Sequence, residues 1–279
     1  MCNRFPVLFL FLITSLSANS QYFYKDIIQT LQNRDNWKLL KDQKIREVNI
    51  FSIDANNEQT PGFICTQKIA QDFSYISTLT KSANTAESTL TTFYDTNGKI
   101  IKTEDTSDTY KSTTLYDYNE NGAISSLLNH SVETDNQVSA TEKHIWIYEN
   151  GKIQRMLKIK GETDTTFVNL VKDKDGNITE EKSIRGGQAL PSYYYYYDSE
   201  GRLTDIVRYS PKAQRMLPDY IFEYDEANRM SSMIIVTAGS KDYQKWIYNY
   251  NASGLKASET CYDKKKQVIV KINYKYNLN

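Results

Sequence analysis

Apolar and polar residues alternate with period two over most of the chain, which predicts strands with one covered face. The C-terminal run is the plainest case, with Val268, Val270, Ile272, Tyr274 and Tyr276 on one parity. Short polar segments punctuate these runs, and seven of them resemble one another. They are Tyr94-Asp-Thr-Asn-Gly-Lys-Ile100, Tyr118-Asn-Glu-Asn-Gly-Ala-Ile124, the shorter Tyr148-Glu-Asn-Gly-Lys-Ile153, Lys172-Asp-Lys-Asp-Gly-Asn-Ile178, Tyr197-Asp-Ser-Glu-Gly-Arg-Leu203, Tyr224-Asp-Glu-Ala-Asn-Arg-Met230 and Tyr250-Asn-Ala-Ser-Gly-Leu-Lys256. Each reads as a hairpin turn. Asp or Asn opens it by hydrogen-bonding the backbone two residues on, and Gly closes it where φ must be positive. Asn228 stands in for Gly once, and Asn tolerates that conformation next best. The spacing leaves two strands of about 9 residues per unit, so roughly fourteen strands in an antiparallel meander.

Alignment on the turns reveals an aromatic stripe on one face. It includes Trp146 and Tyr148, then Tyr193, Tyr195 and Tyr197, then Tyr220, Phe222 and Tyr224, then Trp246, Tyr248 and Tyr250. His144 continues the stripe as a packed or edge-exposed side chain. Some return strands, such as Ile100 to Thr106 and Ile178 to Arg185, are polar on both parities after their first residue. This predicts a sheet that is partly a single layer held by cross-strand pairs. It also argues against a transmembrane barrel, which needs an apolar residue at every second position. The segment 21–89 predicts a small α/β cap on the first sheet edge, with a short helix near 26–33 and strands in 47–53 and 63–76; Ile53-Asp-Ala-Asn-Asn57 reads as a degenerate turn. The expected architecture is therefore all-β: an open, twisted hairpin meander over 90–279 behind that cap.

The repeat motif, complete at Tyr197-Asp-Ser-Glu-Gly-Arg-Leu203, resembles the YD repeat of Rhs-type bacterial proteins. The resemblance covers about residues 88–276. It implies a β-sheet scaffold and brings no catalytic residue with it. Large Rhs proteins enclose a toxin in many such hairpins; this chain has few units and no toxin-sized extension after them.

Composition sharpens the picture. The 34 basic and 34 acidic residues balance, which argues against a nucleic-acid partner. Six of the 22 Tyr precede a repeat turn, so the Tyr excess follows from the repeat. The only histidines, His130 and His144, lie in no zinc or nucleophile motif. Asp173, Asp175 and Gly176 mimic part of a calcium loop, but Val171 and Lys182 occupy its essential oxygen-ligand positions. No metal, cofactor or catalytic residue is expected.

Residues 1–20 read as an export signal, with Arg4, an apolar run Phe5–Leu16, and small Ala18 and Ser20 before a cut at Gln21. The run is too short to span a membrane, and no acylated Cys follows it. Cys65 and Cys261 would remain, either as one disulfide or as two small buried residues. The expectation is an exported, non-enzymatic scaffold or binding module, periplasmic or at the cell surface. Its partner would be a glycan stacking on the stripe or, for an immunity- or assembly-type envelope protein, another protein bound by the stripe or a free sheet edge; the remaining alternative is an enzyme with an unrecognised site. The stripe would alternatively be the sheet's own core.

Overall fold

The computed structural model describes residues 21–83, 85–211, 213–236 and 242–278. The signal segment lies outside them. A π-helical stretch, Phe23–Ile28, runs without a break into α1 (Gln29–Asp42). The strands follow: β1 (Glu47–Asp54), β2 (Ile64–Ile69), β3 (Tyr75–Ser82), β4 (Thr85–Tyr94), β5 (Ile100–Ser107), β6 (Tyr110–Tyr118), β7 (Ile124–Glu133), β8 (Ser139–Glu149), β9 (Lys152–Lys160) and β10 (Asp164–Lys172). The second half holds β11 (Ile178–Arg185), the two-residue β12 (Gln188–Ala189), β13 (Tyr193–Tyr197), β14 (Leu203–Ser210), β15 (Arg215–Tyr224), β16 (Met230–Val236), β17 (Tyr243–Tyr250), β18 (Lys256–Tyr262) and β19 (Val268–Asn277).

The sheet is closed, and the expected open meander is corrected. β1 pairs with β2 on one side and, over eight residues from Glu47↔Asn277 to Asp54↔Val270, with β19 on the other. Every stave pairs antiparallel with two neighbours, and β12 is a short flap on β11, so the ring has eighteen staves. Closure removes the free edge that strand addition would need. The N-terminal cap is corrected as well. β1 to β3 are staves of the ring, and the helix is longer than the sequence pattern implied. The helix lies inside the ring: Trp37 meets Tyr94 on β4, whereas Tyr24 meets Tyr220 and Phe222 on β15, nearly opposite.

The turns have the predicted chemistry. Asp198 Oδ1 accepts the backbone N–H of Glu200 and Arg202, and Asp225 Oδ1 accepts those of Ala227 and Arg229. Asn228 has φ 61, in place of the glycine φ of 76 at Gly201. The degenerate turn after β1 matches, with Asp54 bonding Asn56 and Glu58 and with Asn57 at φ 64. Asp263 and Lys266 (φ 61) build one more, between β18 and β19. Beyond each repeat turn the ladder slips by one residue, as at Phe93/Tyr94, Tyr196/Tyr197 and Asn249/Tyr250. Such bulges add bend and twist, which a sheet needs to close.

In five of the seven units the Tyr before the turn ties the unit to the one before, and Tyr276 at the end of β19 repeats the link. Each hydroxyl donates to the carbonyl just past the preceding turn: Tyr118 to Ile100, Tyr148 to Ile124, Tyr197 to Ile178, Tyr224 to Leu203, Tyr250 to Met230 and Tyr276 to Lys256, at 2.7–2.9 Å. The basic residue of the preceding turn lies over the same ring, as with Arg202 over Tyr224 and Arg229 over Tyr250. Replacing Tyr224 with Phe should therefore cost about 1 kcal/mol in urea unfolding. The same change at Tyr196, half exposed on the outer wall, should be silent.

Candidate functional site

The lumen holds the one concentration of charged and aromatic groups that the helix and staves build together. The helix begins there with unpaired backbone N–H groups, as every helix does. Glu181, fully buried on the inward face of β11, satisfies them. Its Oε1 accepts from Gln21 N at 2.9 Å and Tyr22 N at 3.2 Å. Its Oε2 accepts from Phe23 N at 3.0 Å and the Tyr195 hydroxyl at 2.9 Å. Burial raises the Glu181 carboxyl, and these donors oppose the rise. Beside it, the Gln21 amide donates to Asp219, which also takes the Arg208 guanidinium at 2.9 Å.

One turn along the helix, buried Asp26 reaches β8. Its Oδ2 lies 2.6 Å from His144 Nδ1 and accepts from Trp146 Nε1 at 3.1 Å. His144 Nε2 meets Glu142 Oε1 at 3.0 Å, and Lys158 on β9 meets Glu142 Oε2 at 3.0 Å. Burial pulls the His144 imidazole down, but the two carboxylates outweigh it and push it up to about 9. Both ring nitrogens are thus donors to carboxylates. A general base needs a free nitrogen, so this is an ionic clasp between helix and wall. The helix is also held near its other end. Trp37 donates to the Phe73 carbonyl at 2.9 Å and packs on Gly98, where a Cβ would meet its ring at 2.3 Å.

The sequence stripe faces this interior. Trp146, Tyr193, Tyr195, Phe222, Trp246 and Tyr248 are buried, and Tyr148, Tyr197, Tyr220, Tyr224 and Tyr250 are partly buried against the same core. Phe23 sits edge-on to Tyr195 at 5.5 Å, and the stacked pair Tyr220–Phe222 lies under Tyr24. The protein's own helix meets the rings of Tyr195, Tyr220 and Phe222, and basic side chains lie over those of Tyr224, Tyr248 and Tyr250.

The tentative disulfide is corrected, because Cys65 and Cys261 are both buried free thiols. β1 and β19 stand between their strands, so at ~4.8 Å per strand they are roughly 14 Å apart, beyond the ~7 Å Cα limit. Burial pushes the thiols up to about 11 and about 12, which leaves them unreactive.

Glu181, Asp26 and Glu142 went unread in the sequence. Glu142 alone carried a signal, as an acid on the parity of Trp146 and Tyr148. Ile178 to Arg185 had looked solvated on both faces, yet its inward Glu181 and Ser183 are buried.

No protein-family model matches the chain, and no curated protein does. Among solved structures, the chain is similar to the TcdB2-TccC3-Cdc42 complex at 12% identity and TM-score 0.35, over 76% of this chain and only 12% of that one. It is also similar to porin-like proteins of Bacteroides uniformis (9% identity, TM-score 0.42) and Bacteroides vulgatus (11%, TM-score 0.31), each over 84% of this chain and 98% of that one. All three scores fall below 0.5. Among the described residues, no helix is long and apolar enough to cross a membrane.

Two outcomes follow from the lumen. Tyr195→Ala should destabilise by about 3–5 kcal/mol in chemical unfolding, as a filled core position does. The His144 clasp has a folded pKa above the unfolded value of ~6.5, so its contribution is whole below that and fades as pH rises through about 9. The unfolding midpoint should fall across that window, and His144→Gln should flatten the fall.

Proposed function

We propose that the chain is an exported, non-enzymatic β-barrel scaffold of the cell envelope, assembled from YD-type hairpins, that engages a protein partner through its outer wall. The observation that carries this reading is the occupancy of the lumen. The helix fills the place where a porin conducts or a lipocalin holds its ligand, and the clasp leaves no nitrogen of His144 free for chemistry. A glycan would need open ring faces, and the rings of Tyr195, Tyr220, Phe222, Tyr224, Tyr248 and Tyr250 are covered by the helix or by basic side chains.

The outer wall supports the rest. Lys102, Glu104, Lys143, Arg155, Lys182 and Lys245 lie on outward parities of the staves. Such charges are costly against lipid, which favours a barrel standing in water. Ile145, Leu157, Phe167 and Ile184 are successive cross-strand neighbours on β8 to β11, with Phe167 and Ile184 exposed. An apolar row of this kind is typical of a protein contact.

Fractionation of the native host tests the reading. The protein should appear in the periplasm or medium and be soluble without detergent; recovery only from detergent-extracted membranes would refute a water-facing barrel. Phe167→Asp should leave the unfolding midpoint within about 0.5 kcal/mol while abolishing capture of the partner from envelope extract.

A further inference from the structure

Gln21 holds its backbone nitrogen against a buried carboxylate inside the barrel. Gln21 is 4% exposed, and its backbone nitrogen lies 2.9 Å from Glu181 Oε1 inside the barrel. Among the described residues, the groups that hydrogen-bond Glu181 are three backbone N–H groups and a phenol, all neutral, while Lys25 couples to it through its charge. A fully buried carboxylate is better held by a charged donor. Gln21 also has φ 106, which L side chains rarely adopt. That torsion exists only while a residue precedes it. Upstream, Ala18 and Ser20 present the small residues of a cleavage site at this same bond.

We propose that hydrolysis of the Ser20–Gln21 bond makes the α-amino group of Gln21 the cation of a buried ion pair with Glu181, so that removal of the signal segment locks the helix into the barrel. The inference rests on the export reading. Water adds across the peptide bond, Ser20 leaves with the new carboxylate, and Gln21 keeps the amine, protonated at neutral pH. An envelope endopeptidase supplies the catalysis before the barrel closes. The nitrogen that already touches Glu181 then becomes an ammonium without moving. Asp219 has a further role here. It holds the Gln21 side-chain amide at 2.9 Å, which restrains the side chain from turning back on the terminal amine. An N-terminal Gln is otherwise prone to attack its own Cδ, expel ammonia and close to a neutral lactam.

Two measurements test the proposal. In the first, the full chain is expressed with export, and the purified protein is analysed by intact mass and N-terminal sequencing. A chain beginning at Gln21 with a free amine supports the proposal. A different start, or a mass short by one ammonia, overturns it. Retention in the cytoplasm with Met1 intact would refute export, which the second measurement does not require. In the second, chains beginning at Gln21 or at Gly-Ser-Gln21 are made by cutting a removable tag, each with Glu181 or Glu181→Gln. The extension should raise the unfolding equilibrium constant about tenfold or more, the scale of a charge-assisted hydrogen bond. Glu181→Gln should cost much more in the chain beginning at Gln21 than in the extended one. Equal effects in the two backgrounds overturn the ion pair. Asp219→Ala should speed lactam formation in the Gln21 chain, read as a time-dependent loss of one ammonia; an unchanged rate removes the role given to Asp219.

Discussion

A ring of eighteen staves encloses more space than its own side chains can fill. Eight strands suffice to close over their side chains, whereas rings of sixteen to eighteen leave an open channel. The rest of this structure depends on how that space is filled. The segment from Tyr22 to Asp42 folds into the lumen, and the inward aromatic residues of the repeats close on it. A helix inside a barrel has polar ends to satisfy, and Glu181 does this at the N-terminal end. Its carboxylate draws three consecutive backbone N–H groups to one point on the wall, where the helix dipole also favours a negative charge.

The wall that surrounds the helix is built by repetition. In most units a turn carboxylate or amide fixes the hairpin and a Tyr hydroxyl joins it to the unit before, and in all seven a bulge bends it. Each Tyr link is modest, about 1 kcal/mol. Its value is positional, since it repeats at the same level in unit after unit and sets the stagger between them. Where Lys172 replaces Tyr, that link is missing, and the next stave, β11, carries Glu181.

The charged groups of the lumen serve stability and register. Buried ion pairs contribute little net free energy, because desolvation offsets most of the attraction, but breaking one is costly. Asp26, His144, Glu142 and Lys158 form a chain of alternating charge, linked by two hydrogen bonds and an ion pair. Such a chain tolerates one rotation and one depth of the helix. The aromatic residues around it would accept many. The ionic clasp and the aromatic core thus act at different levels, one selecting the seating and the other supplying most of the burial.

The sequence by itself determined the local structure. Asp198, Asp225 and Gly201 specify their turns within five residues, Asn228 announces its positive φ, and period-two alternation puts Tyr193, Tyr195 and Tyr197 on one face. These features are legible because the groups that cause them are neighbours in the chain. Closure was not legible. It rests on β1 meeting β19, which brings Glu47 beside Asn277, and no local pattern encodes a contact over that distance. Alternation likewise states that a face is covered but not what covers it. The stripe therefore read first as core and second as platform until the helix was found against it. Glu181 was the least visible of all. In the sequence it is one acid in a polar strand, and only the closed barrel, by excluding water and bringing Gln21 to it, makes that carboxylate the anchor of the fold.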